Sequence, residues 1–248
     1  MQTLIRLYGI VCYGFSMLMF VGFILWGNNH LGWLGVTGLE QFSLERAPSL
    51  STSTAILVNV GLLLLFGIQH SVMARGAFKR RLEQLLPRQV ERSTYCLATG
   101  VVIYLIIRYW QPVGGSLWQF EAPSLRVALE SVYFAGWAIS IAATFMLNHW
   151  HLFGLQQTFA GDDPDAGTKV FSTPLFYRLV RHPIQTGVVI AMLATPDMSA
   201  TRAILALGML VYVAIGLYFE ERDLVAEFGE TYENYRNDVP GVLPIKLR

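Results

Sequence analysis

The sequence is poor in charge and in cysteine, and each shortage removes a class of function. Of its 248 residues, 14% are charged and 54% are apolar, which is far from the usage of soluble domains. A net charge of +1 leaves no excess of Lys and Arg for phosphates, so we expect no nucleic-acid partner. Cys12 and Cys96 both lie inside apolar runs, where a thiol behaves as a small buried hydrophobe, and they predict neither a disulfide nor a CxxC metal site.

Two further patterns are missing. There is no Gly-rich dinucleotide fingerprint, which argues against nicotinamide-dependent reduction, and no pair of related halves with broken helices, which argues against a transporter. His149 and His151 are spaced by two, which points their side chains apart on a helix. We therefore expect no metal site.

Long apolar runs are abundant instead. A bilayer core of about 30 Å needs roughly 20 apolar residues per spanning helix. Four runs meet this need, at residues 4–26, 54–72, 95–110 with some flank, and 128–147. The lipid bilayer is thus the solvent for most of the surface.

The loops between these runs predict an orientation. Residues 74–94, between the second and third runs, carry six Lys or Arg. The loops at residues 27–53 and 111–127 contain one arginine each, Arg46 and Arg126. Because basic loops stay in the cytoplasm, we expect both termini and the active site to be cytoplasmic, in a bacterial inner membrane.

The last hundred residues differ from the first part. Residues 149–187 are polar and rich in Gly and Pro, as in a loop. The apolar stretch 184–219 is interrupted by Thr195-Pro196-Asp197, which favours a hairpin whose two ends share one membrane face. The predicted fold is an all-α integral membrane protein: a four-helix transmembrane bundle at 1–148, then a region at 149–248 with a cytoplasmic cofactor loop, a helical hairpin and an amphipathic C-terminal helix.

A basic cluster precedes the hairpin. Arg178, Arg181 and His182 stand at the mouth of a helix, and Pro183 suits its first turn. Free N–H groups at such a helix end attract anions, and arginines add bidentate carboxylate binding. The alternative is that the two arginines anchor the chain at lipid headgroups.

An acidic pair follows the hairpin. Glu220 and Glu221 come directly at the end of the apolar run, where adjacent carboxylates cost several kcal/mol unless they meet cations or a ligand's donors. A structural ion pair with Arg178 or Arg181 is the alternative. The segment after them is amphipathic and is either a helix over the site or a solvated tail helix.

Together the clusters resemble the C-terminal signature of the isoprenylcysteine carboxyl methyltransferase superfamily: Arg-His-Pro, a hairpin, Glu-Glu, then Phe-Gly-x-x-Tyr-x-x-Tyr-Arg and a proline, over residues 149–244. The resemblance implies that S-adenosylmethionine binds at the cytoplasmic face and leaves as S-adenosylhomocysteine. It assigns cofactor binding to Arg181, His182, Pro183, Gly187, Glu220, Glu221, Tyr232 and Arg236. Arg178 in the motif, and His151 and Gln156 in the loop, are added as cofactor contacts. Gln185 stands where the superfamily usually has Tyr, so no role is predicted for it.

A narrower resemblance covers nearly the whole chain. The segments Gln-His-Ser-Val-Met-Ala-Arg (69–75), Glu-Arg-Ser-Thr-Tyr (91–95), Trp-His-Leu-Phe-Gly-Leu (150–155) and Ala-Thr-Pro (194–196) are similar to the bacterial methanethiol S-methyltransferase family, and membrane proteins linked to nitric oxide metabolism share parts of them. The implied reaction methylates a small thiol, methanethiol, to dimethyl sulfide. The implied thiol-side residues are His70, Ser93 and Tyr95, and the implied catalytic residues are His70, Arg181 and His182.

Elementary chemistry is compatible with this reaction. A sulfonium methyl is already electrophilic, so the protein need only bind it, hold a thiolate in line at about 3–3.5 Å and exclude water. Glu220 or Glu221 is expected to accept the cofactor's amino group, and Arg181 or His182 to donate to its carboxylate. A free thiol such as that of Cys has a pKa of about 8.5, so a base or nearby cations would help to form the thiolate. His70 is therefore either a substrate-side residue or a helix-end hydrogen bonder. Methylation of a lipid amine or a prenylated thiol, and a non-catalytic accessory role, remain alternatives, and no oligomeric state is predicted.

Overall fold

Helices account for nearly all of the regular secondary structure in the computed structural model, which describes residues 1–160 and 171–245. The α-helices of these residues are α1 Gln2–Gly27, α2 Thr52–Ala74, α3 Gly76–Leu82, α4 Glu91–Tyr109, α5 Pro123–Leu147, α6 His149–Leu152, α7 Leu155–Phe159, α8 Pro183–Leu193, α9 Ala200–Phe228 and α10 Glu230–Asp238. Residues 161–170, in the middle of the predicted cofactor loop, lie outside the described residues.

Five of these helices are long and apolar enough to cross a membrane: α1, α2, α4, α5 and α9. The predicted all-α integral membrane fold is confirmed. The count differs from the four spans plus hairpin expected, because α9 has 29 residues and qualifies by itself, whereas α8 has 11.

The hairpin breaks where the sequence predicts. Helix α8 ends at Leu193 and α9 begins at Ala200, with Thr195-Pro196-Asp197 in the connection. The connection contains a short strand that the sequence did not predict, β2 at Asp197–Ser199, which pairs antiparallel with β1 at Ser116–Gln119. The pairing satisfies backbone groups that a bare turn would leave without partners.

Helix α9 is longer than predicted. It continues past Phe219 to Phe228, just before Gly229, because the Glu, Arg, Leu and Ala residues in that stretch are good helix formers. Glu220 and Glu221 therefore lie within the helix rather than at its end.

Contacts divide the described residues into two compact units that alternate along the chain. The first contains residues 1–119, 150–160 and 197–208. In it α4 packs against both α1 and α2, and α7 packs against α1. Asn59, fully buried, exchanges two hydrogen bonds of 2.7 Å with the backbone of Gln111. This pair of hydrogen bonds satisfies the buried amide of Asn59 and fixes the chain just after the end of α4.

The second unit contains residues 120–149, 171–196 and 209–245. Its main packing is between α5 and α8, which approach so closely that a side chain at Gly187 would overlap the Gly136 carbonyl oxygen and the Ser140 hydroxyl. The Ser140 hydroxyl donates to the Ile184 carbonyl at 2.7 Å. The division of function at residue 148 stays a prediction, since these units follow contacts rather than chemistry.

His149 is a structural residue of the second unit. Its ring stacks on Phe145 at 4.1 Å, and Nδ1 lies 2.8 Å from the Thr144 hydroxyl. Burial lowers the pKa of His149, so the ring stays neutral near pH 7.

Candidate active site

The entry to α8 is fixed by the C-terminal tail. The backbone N–H groups of Arg181 and His182 donate to the carbonyls of Pro240 at 2.8 Å and Gly241 at 3.1 Å. Thr186 in the first turn of α8 donates its hydroxyl to the Val242 carbonyl at 2.6 Å. Pro183 occupies the first turn, as its fixed φ favours. The tail after α10 is therefore part of the site.

A three-membered charge cluster lies beside this entry. Glu221 Oε1 accepts from Arg181 Nε at 2.7 Å and contacts Arg181 Nη2 at 2.6 Å. It also lies 2.8 Å from His182 Nε2, which must donate because a carboxylate only accepts. The His182 side chain is 4% exposed. The structure thus brings together three of the predicted cofactor residues.

Glu220 approaches the same imidazole from another side. Its Oε1 lies 3.9 Å from His182 Nδ1, and its Oε2 accepts from the Gln185 amide at 3.0 Å. The Glu220 side chain is 46% exposed. No role was predicted for Gln185 because it differs from the superfamily's usual residue. Its place in the first turn of α8, close to His182, could have suggested a contact with an acidic group.

A cavity of about 550 Å³ opens beside the cluster. Its polar lining is Arg181, His182, Glu221, Arg222, Arg236 and Gly241, and its apolar wall is Ala214, Leu217, Tyr218 and Val225. Such a lining suits a ligand with a charged end and an apolar or aromatic body.

Aromatic side chains pack around Tyr232 and Tyr235 of α10. Tyr232 is 2% exposed, and its ring lies 6.1 Å from Phe171 and 5.8 Å from Tyr235. The Tyr235 hydroxyl donates to the Tyr177 carbonyl. Burial raises the pKa of Tyr177 and Tyr232, and that of Tyr235 to about 12. All three phenols therefore keep their protons in the physiological range.

Of the other predicted cofactor residues, Arg236 lines the cavity and four do not. Arg178 is exposed and donates to the Thr173 carbonyl at 3.2 Å, and it does not line the cavity. Gly187 serves the contact between α5 and α8. His151 and Gln156 belong to the first compact unit. Arg236, which lines the cavity, accepts from Arg181 Nη1 through its backbone carbonyl at 3.0 Å.

The thiol-side residues His70 and Tyr95 lie together in the first unit. His70 Nε2 is 2.7 Å from the Tyr95 hydroxyl, and Nδ1 is 3.3 Å from the Thr99 hydroxyl. Since Thr99 already donates to the Tyr95 carbonyl at 3.0 Å, it accepts from His70 Nδ1, which leaves Nε2 to accept from the Tyr95 hydroxyl. Thr99 was missed, although its spacing of four from Tyr95 on α4 places both on one face.

Ser93, the third predicted thiol-side residue, is fully buried and donates to the Gly154 carbonyl at 3.1 Å. Gly154 has φ of +83°, and a side chain there would collide with the Ser93 backbone. Ser93 therefore anchors the connection between α6 and α7.

The comparisons with known proteins point in one direction. The family model described as NnrU protein matches residues 58–239. The methanethiol S-methyltransferase of Crocosphaera subtropica is 37% identical over 244 residues, covering 98% of this chain and 92% of that protein. Methanethiol S-methyltransferase 2 of Bradyrhizobium diazoefficiens is 40% identical over 241 residues, covering 97% and 90%. The methanethiol S-methyltransferase of Mycobacterium tuberculosis is 40% identical over 203 residues, covering 82% and 83%. No solved structure matches the chain.

Proposed function

Because the chain belongs to the NnrU protein family and to the methanethiol S-methyltransferases, we propose that it methylates methanethiol to dimethyl sulfide with S-adenosylmethionine as donor. The observation that carries the proposal is identity of 37–40% over 97–98% of the chain with proteins of that activity. Likeness over the full length supports the same acceptor and not merely the same fold.

The cavity fits the proposed donor chemically. S-adenosylmethionine supplies an electrophilic methyl group when bound. Its amino-acid end carries an ammonium group and a carboxylate, and the adenine of its adenosine end is flat and aromatic. Glu221 offers an acceptor for an amino group, the arginines of the lining offer donors for a carboxylate, and Leu217 and Val225 offer an apolar surface for a ring.

The thiol needs to lose its proton. Even the thiol of free cysteine, with a pKa of about 8.5, is mostly protonated at neutral pH, so a proton acceptor raises the fraction of thiolate. The Tyr95 hydroxyl donates to His70 Nε2, and its oxygen can take a proton while passing its own to the imidazole. Tyr95 is thus proposed to receive the thiol proton, with His70 as the final base.

Location and partners follow the same proposal. The segment 74–94 with its six basic residues supports a cytoplasmic site in a bacterial inner membrane, with both termini on that side. The proposed partners are methanethiol and the bilayer lipids.

S-adenosylhomocysteine is formed whatever the acceptor, so one assay of its formation can compare the acceptors that the rival proposals require. The purified full chain is supplied with S-adenosylmethionine and, in separate reactions, methanethiol, a prenylated thiol or a lipid amine. We expect turnover with methanethiol and little with the two bulky acceptors. Turnover with either bulky acceptor alone would support the rival methyltransferase, and none with any acceptor would support an accessory role.

A further inference from the structure

Arg181 has few donors left for a ligand. An arginine carries five N–H groups. Nε and Nη2 of Arg181 are directed at Glu221, and Nη1 donates to the carbonyls of Arg236 and Val239. At most one N–H remains, which rules out a bidentate pair with a carboxylate. Arg181 therefore holds Glu221 and the tail in place.

Two other cations line the same cavity. Arg222 comes from α9 and Arg236 from α10. The Arg222 guanidinium lies 5.5 Å from the Phe219 ring, and its neighbours three and four residues away on the helix include no acidic residue. Over residues 1–160 and 171–245, neither guanidinium takes part in an ion pair or hydrogen bond.

An exposed arginine at a membrane surface is commonly a headgroup anchor. These two differ because they border, from two separate helices, one concave site that also contains the carboxylate of Glu221. A ligand with an amino group and a carboxylate on one carbon would find both opposite charges there, and the fork of N–H donors on a guanidinium matches the two acceptor oxygens of a carboxylate.

We propose that Arg222 and Arg236 bind the carboxylate of the cofactor's amino-acid end, while Glu221 accepts its amino group and Arg181 acts only as a positioning residue. The inference depends on the proposed donor, and it gives Arg222 and Arg236 the carboxylate-binding role that the chemistry of the cofactor had suggested for Arg181 or His182.

The test compares two ligands by calorimetry on the purified full chain. S-adenosylhomocysteine has the amino-acid end, whereas 5′-methylthioadenosine has the same nucleoside and thioether without it. We expect Arg222→Gln and Arg236→Gln each to weaken S-adenosylhomocysteine binding about 10- to 100-fold and to leave 5′-methylthioadenosine binding unchanged. Arg80→Gln, which removes a cation from α3, should change neither.

Retained binding of 5′-methylthioadenosine also shows that the variants are folded. Unchanged S-adenosylhomocysteine affinity in Arg222→Gln would overturn the inference alone. An equal loss for both ligands would also overturn it, because Arg222 would then act on the fold or the nucleoside end. No binding of either ligand by the unsubstituted protein would overturn the proposed function together with the inference.

Discussion

His182 lies between two consecutive carboxylates because of the helix that carries them. Successive residues on an α-helix diverge by about 100°, so Glu221 turns toward Arg181 and the cavity while Glu220 turns toward Gln185. The two acids consequently differ in role although they adjoin in sequence. Glu221 receives three contacts of 2.6–2.8 Å from Arg181 and His182, whereas Glu220 accepts one hydrogen bond from a neutral amide and lies 3.9 Å from the His182 imidazole.

The matched substitutions Glu221→Gln and Glu220→Gln separate these roles. Glu221→Gln removes the charge that Arg181 and His182 share, and we expect a loss of about 1–3 kcal/mol in the free energy of unfolding. Glu220→Gln should cost under about 0.5 kcal/mol, since the side chain is 46% exposed. Thermal unfolding followed by tryptophan fluorescence decides this, with a melting temperature several degrees lower for Glu221→Gln alone. Equal shifts in melting temperature for the two variants would mean that the contacts of Glu221 with Arg181 and His182 stabilise the protein no more than those of Glu220.

On the thiol side, Tyr95→Phe keeps the ring and removes the hydroxyl that donates to His70. We expect kcat/KM for methanethiol to fall about 100-fold near pH 7 and to recover as the pH rises, because the thiol then ionises without help. Ser93→Ala is the control, since Ser93 is bonded to Gly154 and should affect stability rather than kinetics. A loss in Tyr95→Phe that is the same at every pH would contradict the proposed proton transfer.

Among the helices, the crossing of α5 and α8 sets the position of the site. Gly187, which the resemblance assigns to the cofactor, lies where the two backbones approach most closely. Gly187→Ala should therefore lower the melting temperature even without cofactor, by overpacking worth about 1–3 kcal/mol. Gly216→Ala on α9 is the matched control. Within residues 1–160 and 171–245, no atom lies within 4 Å of the added methyl group apart from its chain neighbours and the backbone of its own helix. A stable Gly187→Ala protein with poor cofactor binding would instead support the cofactor-binding role that the resemblance implies for this glycine.

Local patterns predict most of the helices and little of their long-range connection. The length of the apolar runs places the spans, and Thr195-Pro196-Asp197 places the break, because both signals are contained in a short segment. The return of residues 240–242 to the entry of α8 is a backbone pairing between distant segments, and no local signal encodes it. The same return explains why the occupied donors of Arg181 were not foreseen: two of its acceptors are main-chain carbonyls, at Arg236 and Val239.

The molecule as a whole should have a fixed orientation in its membrane. Single cysteines introduced at Arg80 and Asn237 should be labelled by an impermeant maleimide only after the membrane is opened, whereas one at Glu121 should be labelled in intact spheroplasts. The native thiols give little background, since Cys12 is 1% and Cys96 5% exposed. Labelling of position 237 in intact spheroplasts would place the C-terminus outside.

The acceptor is too small to bind tightly. At about 25 cal/mol per Å² of apolar surface, one carbon and one sulfur give only weak affinity. We therefore expect a high KM for methanethiol and a much lower one for the donor, whose larger surface and charged end fix the geometry of transfer.

Headspace mass spectrometry with a deuterated methyl donor tests the central claim most directly. Purified protein receives methanethiol and S-adenosylmethionine carrying a trideuteromethyl group on sulfur. The account predicts dimethyl sulfide three mass units heavier than the natural compound, formed in proportion to protein and absent from the protein-free control. No labelled dimethyl sulfide above that control, from protein that binds S-adenosylhomocysteine by calorimetry, would contradict it.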